Sequence, residues 1–158
     1  IYKLAKEVGF DTPICLLRKN TFLFGKNDKI LRLNKKFNFN ILIVYPNVIC
    51  STKKIYFKNK KFSKNNSLPN FNNIKKKKLI NFLKEERNDL EEVVIKNYPK
   101  IKKIIDYINL LDGCYFSSIT GSGSAIIGIF RDRSSAIYAK KLIKLKFRKY
   151  WSYVSKTI

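Results

Sequence analysis

The stretch from Pro99 to Phe130 constrains the fold more than any other part of this 158-residue chain. Ile101, Ile104, Ile105, Ile108 and Leu111 recur at helical spacing. Pro99 stands near the start, where its missing N–H would have no helical partner anyway. Asp112-Gly113 ends the pattern, and two apolar runs follow, Cys114–Ile119 and Ala125–Phe130, joined by Thr120-Gly121-Ser122-Gly123-Ser124. Adjacent strands need their backbone groups paired and one face covered, so an antiparallel sheet backed by helices satisfies both demands. The isoleucine stripe is core rather than cofactor surface.

The neighbouring segments extend that plan. Ile41-Leu42-Ile43-Val44-Tyr45 is a continuous apolar, β-branched run, the pattern of a strand buried on both faces, and Pro46-Asn47 breaks it. Ser51 or Thr52 is placed to cap a short helix through Phe57. Helical patterns run from Ile74 to Glu86, from Leu90 to Tyr98 behind an Asp89 cap, and from Pro99 to Leu111. Ser134 is expected to cap a last helix that buries Ala136, Ala139, Leu142, Ile143 and Phe147, and Trp151–Val154 to close the fold as a strand. From residue 41 the order is β-α-α-α-β-β-α-β, giving an α+β class in a ferredoxin-like arrangement.

Ahead of that, residues 1–8 read as the last turns of a helix, with Leu4, Ala5 and Val8 on one face and Gly9 as its terminator. After the loop Phe10-Asp11-Thr12-Pro13, the runs Ile14–Leu17, Thr21–Phe24 and Lys29–Leu33 read as strands, with Gly25-Lys26-Asn27-Asp28 as a turn. The polar stretch from Asn34 to Asn40 is expected to connect two lobes, residues 1–36 and 37–158. Lys58 to Asn73, rich in Lys, Asn and Ser, reads as an exposed connector.

Composition removes several function classes. Hydrophobic residues make up 45% of the chain, which excludes wholesale disorder. No run of 18 apolar residues exists, so no helical membrane span is expected, and no signal peptide is visible. There is no Met, not even at position 1, so the chain reads as a piece of something longer. Lys+Arg number 34 against 11 Asp+Glu, a net charge of +23. The excess is diffuse, and Lys, Asn, Ile, Phe and Tyr share AT-rich codons, so codon bias accounts for it. The competing reading is a basic nucleic-acid-binding module. Such a module requires base-stacking aromatics interleaved with Lys on one sheet face, whereas most aromatics here sit within apolar runs. Cys15, Cys50 and Cys114 form no C-x-x-C and read as small buried hydrophobes in a reducing compartment, which points to the cytoplasm. The absence of His removes Ser-His and Cys-His pairs.

Three places carry possible chemistry. In Thr120–Ser124, two glycines among hydroxyl residues let the backbone approach a ligand, and its N–H groups and the hydroxyls of Thr120, Ser122 and Ser124 are suited to surround an anion; a plain hairpin turn is the alternative. Asp11, between a helix and an apolar run, is a candidate general base or a turn-former bonding its own backbone. Asn88-Asp89-Leu90-Glu91-Glu92 gathers acids at a helix start, where they complement the dipole.

Gly-x-Asp-x-Pro after a helix, Pro-x-x-x-x-Ser-Thr after a buried strand, Asn-Asp-Leu-Glu, and Thr-Gly-Ser-Gly-Ser-Ala before an apolar strand form an ordered pattern. It resembles the GHMP kinase superfamily, and within it the kinases of 4-diphosphocytidyl-2-C-methyl-D-erythritol, over nearly the whole chain. The resemblance implies the end of an N-terminal lobe followed by a C-terminal domain, and transfer of the γ-phosphoryl of ATP, with Mg²⁺, to the substrate's 2-hydroxyl. It puts Asp11 at the catalytic carboxylate and Thr52 and Tyr56 at substrate contacts, the Tyr ring against cytosine. It puts Thr120, Gly121, Ser122, Gly123 and Ser124 at the glycine-rich loop beside the phosphates. The Asp11 carboxyl and that loop are then expected to converge on one phosphate. Phe10 stands where relatives usually have a small residue and Thr12 where Val is common. The family's N-terminal Lys and its ATP-cradling glycine motif have no counterpart in these residues, so turnover is expected only with a completing N-terminal lobe. A homoserine or mevalonate-type kinase is the alternative within the superfamily.

Overall fold

A computed structural model describes residues 1–9, 11–17, 19–24, 29–62, 69–71, 73–86 and 88–157. The turn expected at 25–28, Phe10 and residues 63–68 and 72 of the connector lie outside the described residues. The chain divides into two compact units, one of residues 1–38 with 68–75, the other of residues 39–67 with 76–157.

The first unit holds α1 (Tyr2–Val8), α2 (Thr12–Cys15) and the antiparallel hairpin β1 (Thr21–Phe24) with β2 (Lys29–Arg32). In α1 only Ala5 is buried; Leu4 and Val8 are exposed, so the expected apolar face is covered at one position of three. Gly9 ends the helix with its N–H on the Ala5 carbonyl at 3.3 Å, in extended backbone (φ 166°) rather than a left-handed cap. The strand expected over Ile14–Leu17 is instead the helical turn α2. Pro13 lies in its first turn with φ preset for a helix, and the Ile14 N–H donates to Asp11 O at 3.1 Å. Arg32 supplies what a neighbouring strand would have given. Its Nη2 donates to Pro13 O at 2.7 Å, and its Nη1 to Ile14 O at 2.9 Å and Thr21 Oγ1 at 2.7 Å. One guanidinium thereby fastens the turn after Asp11 to the hairpin.

The second unit runs β3 (Asn40–Tyr45), α3 (Thr52–Lys58), α4 (Lys76–Glu85), α5 (Glu91–Asn97), α6 (Pro99–Asn109), β4 (Cys114–Ile119), β5 (Ile126–Phe130), α7 (Arg133–Lys146), β6 (Trp151–Lys156). Its sheet has the order β4-β5-β3-β6, every pair antiparallel, which is the ferredoxin-like arrangement with α6 and α7 as the crossover helices. The short helix expected through Phe57 is α3, with Ser51 as its cap.

Register explains the core. Leu42 pairs with Gly128 and Val154, and Val44 with Ile126 and Ser152, so these side chains share a face. Against it lie Ile101, Ile104, Ile105 and Ile108 of α6 and Ala136, Ala139 and Ile143 of α7. Gly128 permits that approach: a Cβ there would stand 2.8 Å from Ile108 Cγ2 and 3.0 Å from the Phe130 ring. The expectation that β3 is buried on both faces is corrected. Leu42 and Val44 are fully buried, but Ile41 and Ile43 are half-buried and Tyr45 is exposed, because helices pack on one face only.

Two expected caps move. Asp132, not Ser134, caps α7, its Oδ1 accepting from Ser135 N at 2.8 Å and from the Ser134 hydroxyl at 2.6 Å. Leu90, not Asp89, holds the N-cap position of α5, without a side-chain capping bond, and Asn88 Oδ1 accepts from Leu90 N at 3.0 Å in the turn just ahead of it. Among the described residues no helix is long and apolar enough to cross a membrane.

Candidate functional site

The second unit gathers several of the singled-out residues around one loop. The β4–β5 connection is closed by Thr120 N–H to Ala125 O at 2.9 Å and Gly123 N–H to Thr120 O at 3.1 Å. Gly121 (φ +56°) and Gly123 (φ +78°) are left-handed, a conformation that L side chains rarely adopt. A Cβ on Gly123 would also press to 3.2 Å from Val94 Cγ1 and 3.6 Å from Cys50 Sγ. The peptide between Gly123 and Ser124 is cis. Ser124 is buried and its hydroxyl donates to Val48 O, so it anchors the loop rather than facing a ligand. Among the described residues the N–H groups of Gly121 and Ser122 have no protein partner.

Helix α3 stands beside the loop. Ser51 is its cap, accepting from Lys54 N at 3.4 Å, which leaves the Thr52 hydroxyl to meet Ser122 Oγ at 2.9 Å. Ile55 is buried and fixes the helix to the core, while Thr52 and Tyr56, one turn apart, are both exposed on the same side of the helix. Cys50, just before the cap, has its thiol pushed up by burial, and Cys114 at the far end of β4 is pushed up to about 11 by the same cause. Neither is a ready thiolate at neutral pH.

From the other side comes the start of α5. Asn88 Nδ2 donates to Gly121 O at 2.8 Å and to Ile119 O at 3.3 Å. Glu91 Oε2 accepts from Ser118 Oγ at 2.6 Å and from Ile119 N at 2.9 Å. Residues 88–91 were legible in sequence as an acidic helix start; their grip on the loop was not, because the contact spans about thirty residues of chain and needs the sheet to form it.

Asp11 belongs to the first unit. It stands at the N-cap position of α2 with its carboxylate exposed and making no capping bond, so the turn-former alternative does not describe its side chain. Among the described residues no group of three or more His, Cys, Asp or Glu side chains gathers as a metal site.

The arrangement in the second unit is a small-residue loop with open N–H donors, coupled by a hydroxyl pair to a helix that presents an aromatic ring. Comparison with known proteins gives that arrangement a family. Residues 69–142 match the family described as GHMP kinases C terminal. A 4-diphosphocytidyl-2-C-methyl-D-erythritol kinase of Pelagibacter ubique (strain HTCC1062) is 37% identical over 157 residues, 99% of this chain and 54% of its own length. The kinase of the same name from Anaplasma phagocytophilum (strain HZ) is 33% identical over 160 residues, 99% of this chain and 53% of its own. A crystal structure of 4-(cytidine 5'-diphospho)-2C-methyl-D-erythritol kinase shares the fold with a TM-score of 0.74 at 20% identity, over 97% of this chain and 56% of that one. The chain thus spans about half the length of the curated relatives it matches. With its ferredoxin-like sheet, its glycine loop and these relatives, the chain belongs to the GHMP kinase superfamily and carries that superfamily's C-terminal domain.

Proposed function

We propose that the protein carrying this chain is a cytoplasmic kinase that moves the γ-phosphoryl of ATP to the 2-hydroxyl of 4-diphosphocytidyl-2-C-methyl-D-erythritol. The observation that carries this reading is the loop with open Gly121 and Ser122 N–H groups joined to α3 through Thr52 and Ser122. The names of the relatives supply the substrate.

In this mechanism the substrate hydroxyl attacks the γ-phosphorus, the bond from that phosphorus to the ADP oxygen breaks, and the hydroxyl proton passes to the Asp11 carboxylate. Charge that builds on the transferring phosphoryl oxygens is met by the loop N–H groups, which are already oriented and need no reorganisation. Tyr56 stacks on the cytosine ring, and Thr52 holds the substrate next to the loop.

In the full-length protein, Asp11→Asn lowers kcat by roughly 10²–10⁴ with little change in substrate KM, the range expected for loss of a general base. An unchanged kcat removes Asp11 from the chemistry. Tyr56→Ala costs about 1–3 kcal/mol of binding to the cytidylated substrate, as loss of one base stack does, and leaves the KM for ATP where it was. Calorimetric titration with the cytidylated alcohol reads this directly, and equal affinity in the variant ends the stacking role.

A further inference from the structure

We propose that Asn88 is a positioning residue for the 120–124 loop, turning the Ser122 N–H toward the transferring phosphate; this rests on the kinase reading above. The carbonyl of Gly121 and the N–H of Ser122 belong to the same peptide plane and, the bond being trans, point in opposite directions. Asn88 Nδ2 holds that carbonyl at 2.8 Å, toward the start of α5. The Ser122 N–H therefore points away from α5 and stays unpartnered among the described residues. The Gly123 N–H to Thr120 O bond closes the turn but is compatible with either orientation of its central 121–122 peptide. Gly121, at φ +56° with open space where a Cβ would go, lets that plane rotate at little steric cost, so the Asn88 bond selects its direction.

Two further bonds make Asn88 specific for the task. Its Oδ1 accepts from Leu90 N at 3.0 Å while Nδ2 also reaches Ile119 O at 3.3 Å. A primary amide offers both acceptor and donors; a carboxylate offers only acceptors and a hydroxyl lacks the reach. Glu91 completes the grip by accepting the Ile119 N–H at 2.9 Å, so the last strand residue before the loop is held through both its peptide groups. The start of α5 and the loop thus form one fixed body, and Thr52 on Ser122 Oγ steadies the loop from α3.

The test compares the full-length parent with Asn88→Ser and Asn88→Asp. Both variants keep an acceptor for Leu90 N, so the start of α5 is preserved, and both lose the donors to Gly121 and Ile119. The expected result is a kcat lower by roughly 10- to 100-fold, the scale of a misplaced reacting group, with KM for the alcohol substrate within about twofold. Hydrogen exchange at the Thr120 and Gly123 amides, closed by loop bonds in the parent, is expected to quicken about tenfold in both variants. Unchanged exchange and unchanged kcat in Asn88→Ser overturn the proposal. Slower turnover with unchanged loop exchange also overturns it, since the loop would not be what Asn88 holds. A parent with no phosphoryl transfer overturns the kinase reading itself and the phosphate role with it, while the exchange data still report on the clamp.

Discussion

Glycine 113 shows at a single position how backbone sign and packing act together. Its φ is +76°, and a Cβ there would lie 2.5 Å from Ser135 Oγ and 2.6 Å from Ser135 Cβ. Its carbonyl accepts the Arg131 N–H at 2.7 Å, tying the end of α6 to the start of α7. Gly113→Ala therefore meets both a left-handed penalty and a clash. Urea unfolding is expected to show a loss of about 1–3 kcal/mol, the usual cost of a strained backbone position. Pairing it with Ser135→Gly recovers the steric part alone, so a full recovery would show that φ contributes nothing. Gly121 is the contrast: the same sign of φ, but open space where its Cβ would go.

Among the elements, α7 has the most complete start. The Asp132 carboxyl is held well below the usual carboxylate range, first by the Ser134 hydroxyl, then by the Ser135 N–H and by Arg131. A depressed folded value means that the unfolded chain takes up the proton more readily, so the cap stabilises above the ordinary carboxylate value and loses its effect as pH falls through the folded one. Asp132→Ala is expected to lower the thermal midpoint at neutral pH, with the gap to the parent closing as pH drops below about 4. A gap that stays constant across the acid limb would show that the charge is not what stabilises the helix start. The shift of the cap from Ser134 to Asp132 was not legible in the sequence. Arg131-Asp132-Arg133-Ser134 offers two good capping residues two positions apart, and only where the chain leaves β5 decides which one meets the first turn.

Taken as a whole molecule, the chain carries +23 charges on a fold whose open sheet face holds Tyr45, Trp151 and Tyr153 exposed, with Trp151 and Tyr153 stacked at 6.1 Å. The positions of β3 and β6 on that face, Ile41, Ile43, Tyr45, Trp151, Tyr153 and Ser155, include no lysine, and the charge that reaches these aromatics comes from α7, whose Lys140 ammonium lies 5.7 Å from the Tyr153 ring centre. Binding to single-stranded oligonucleotide is then expected to be electrostatic alone, detectable at about 50 mM salt and lost by about 200 mM. Filter binding across that range checks it. Retention at the higher salt with a preference for one sequence would favour the nucleic-acid module over the kinase.

By itself the sequence determined the elements whose signal is local and repeated. The α6 stripe, the β4 and β5 runs, the β1–β2 pair and the small-residue loop all follow from periodicity and turn chemistry, which act within a few residues. The ordered motifs led to the superfamily for the same reason, since spacing along the chain survives without coordinates. Tertiary structure decided the rest. Thr12–Cys15 became a helical turn with Arg32 on the Pro13 and Ile14 carbonyls, and β3 kept one open face because the helices cover the other. Asn88 became the hold on the loop because the strand order brings residues 31 and 33 positions apart into hydrogen-bond contact. Bonds over such distances depend on where the chain returns to, and no local pattern encodes that.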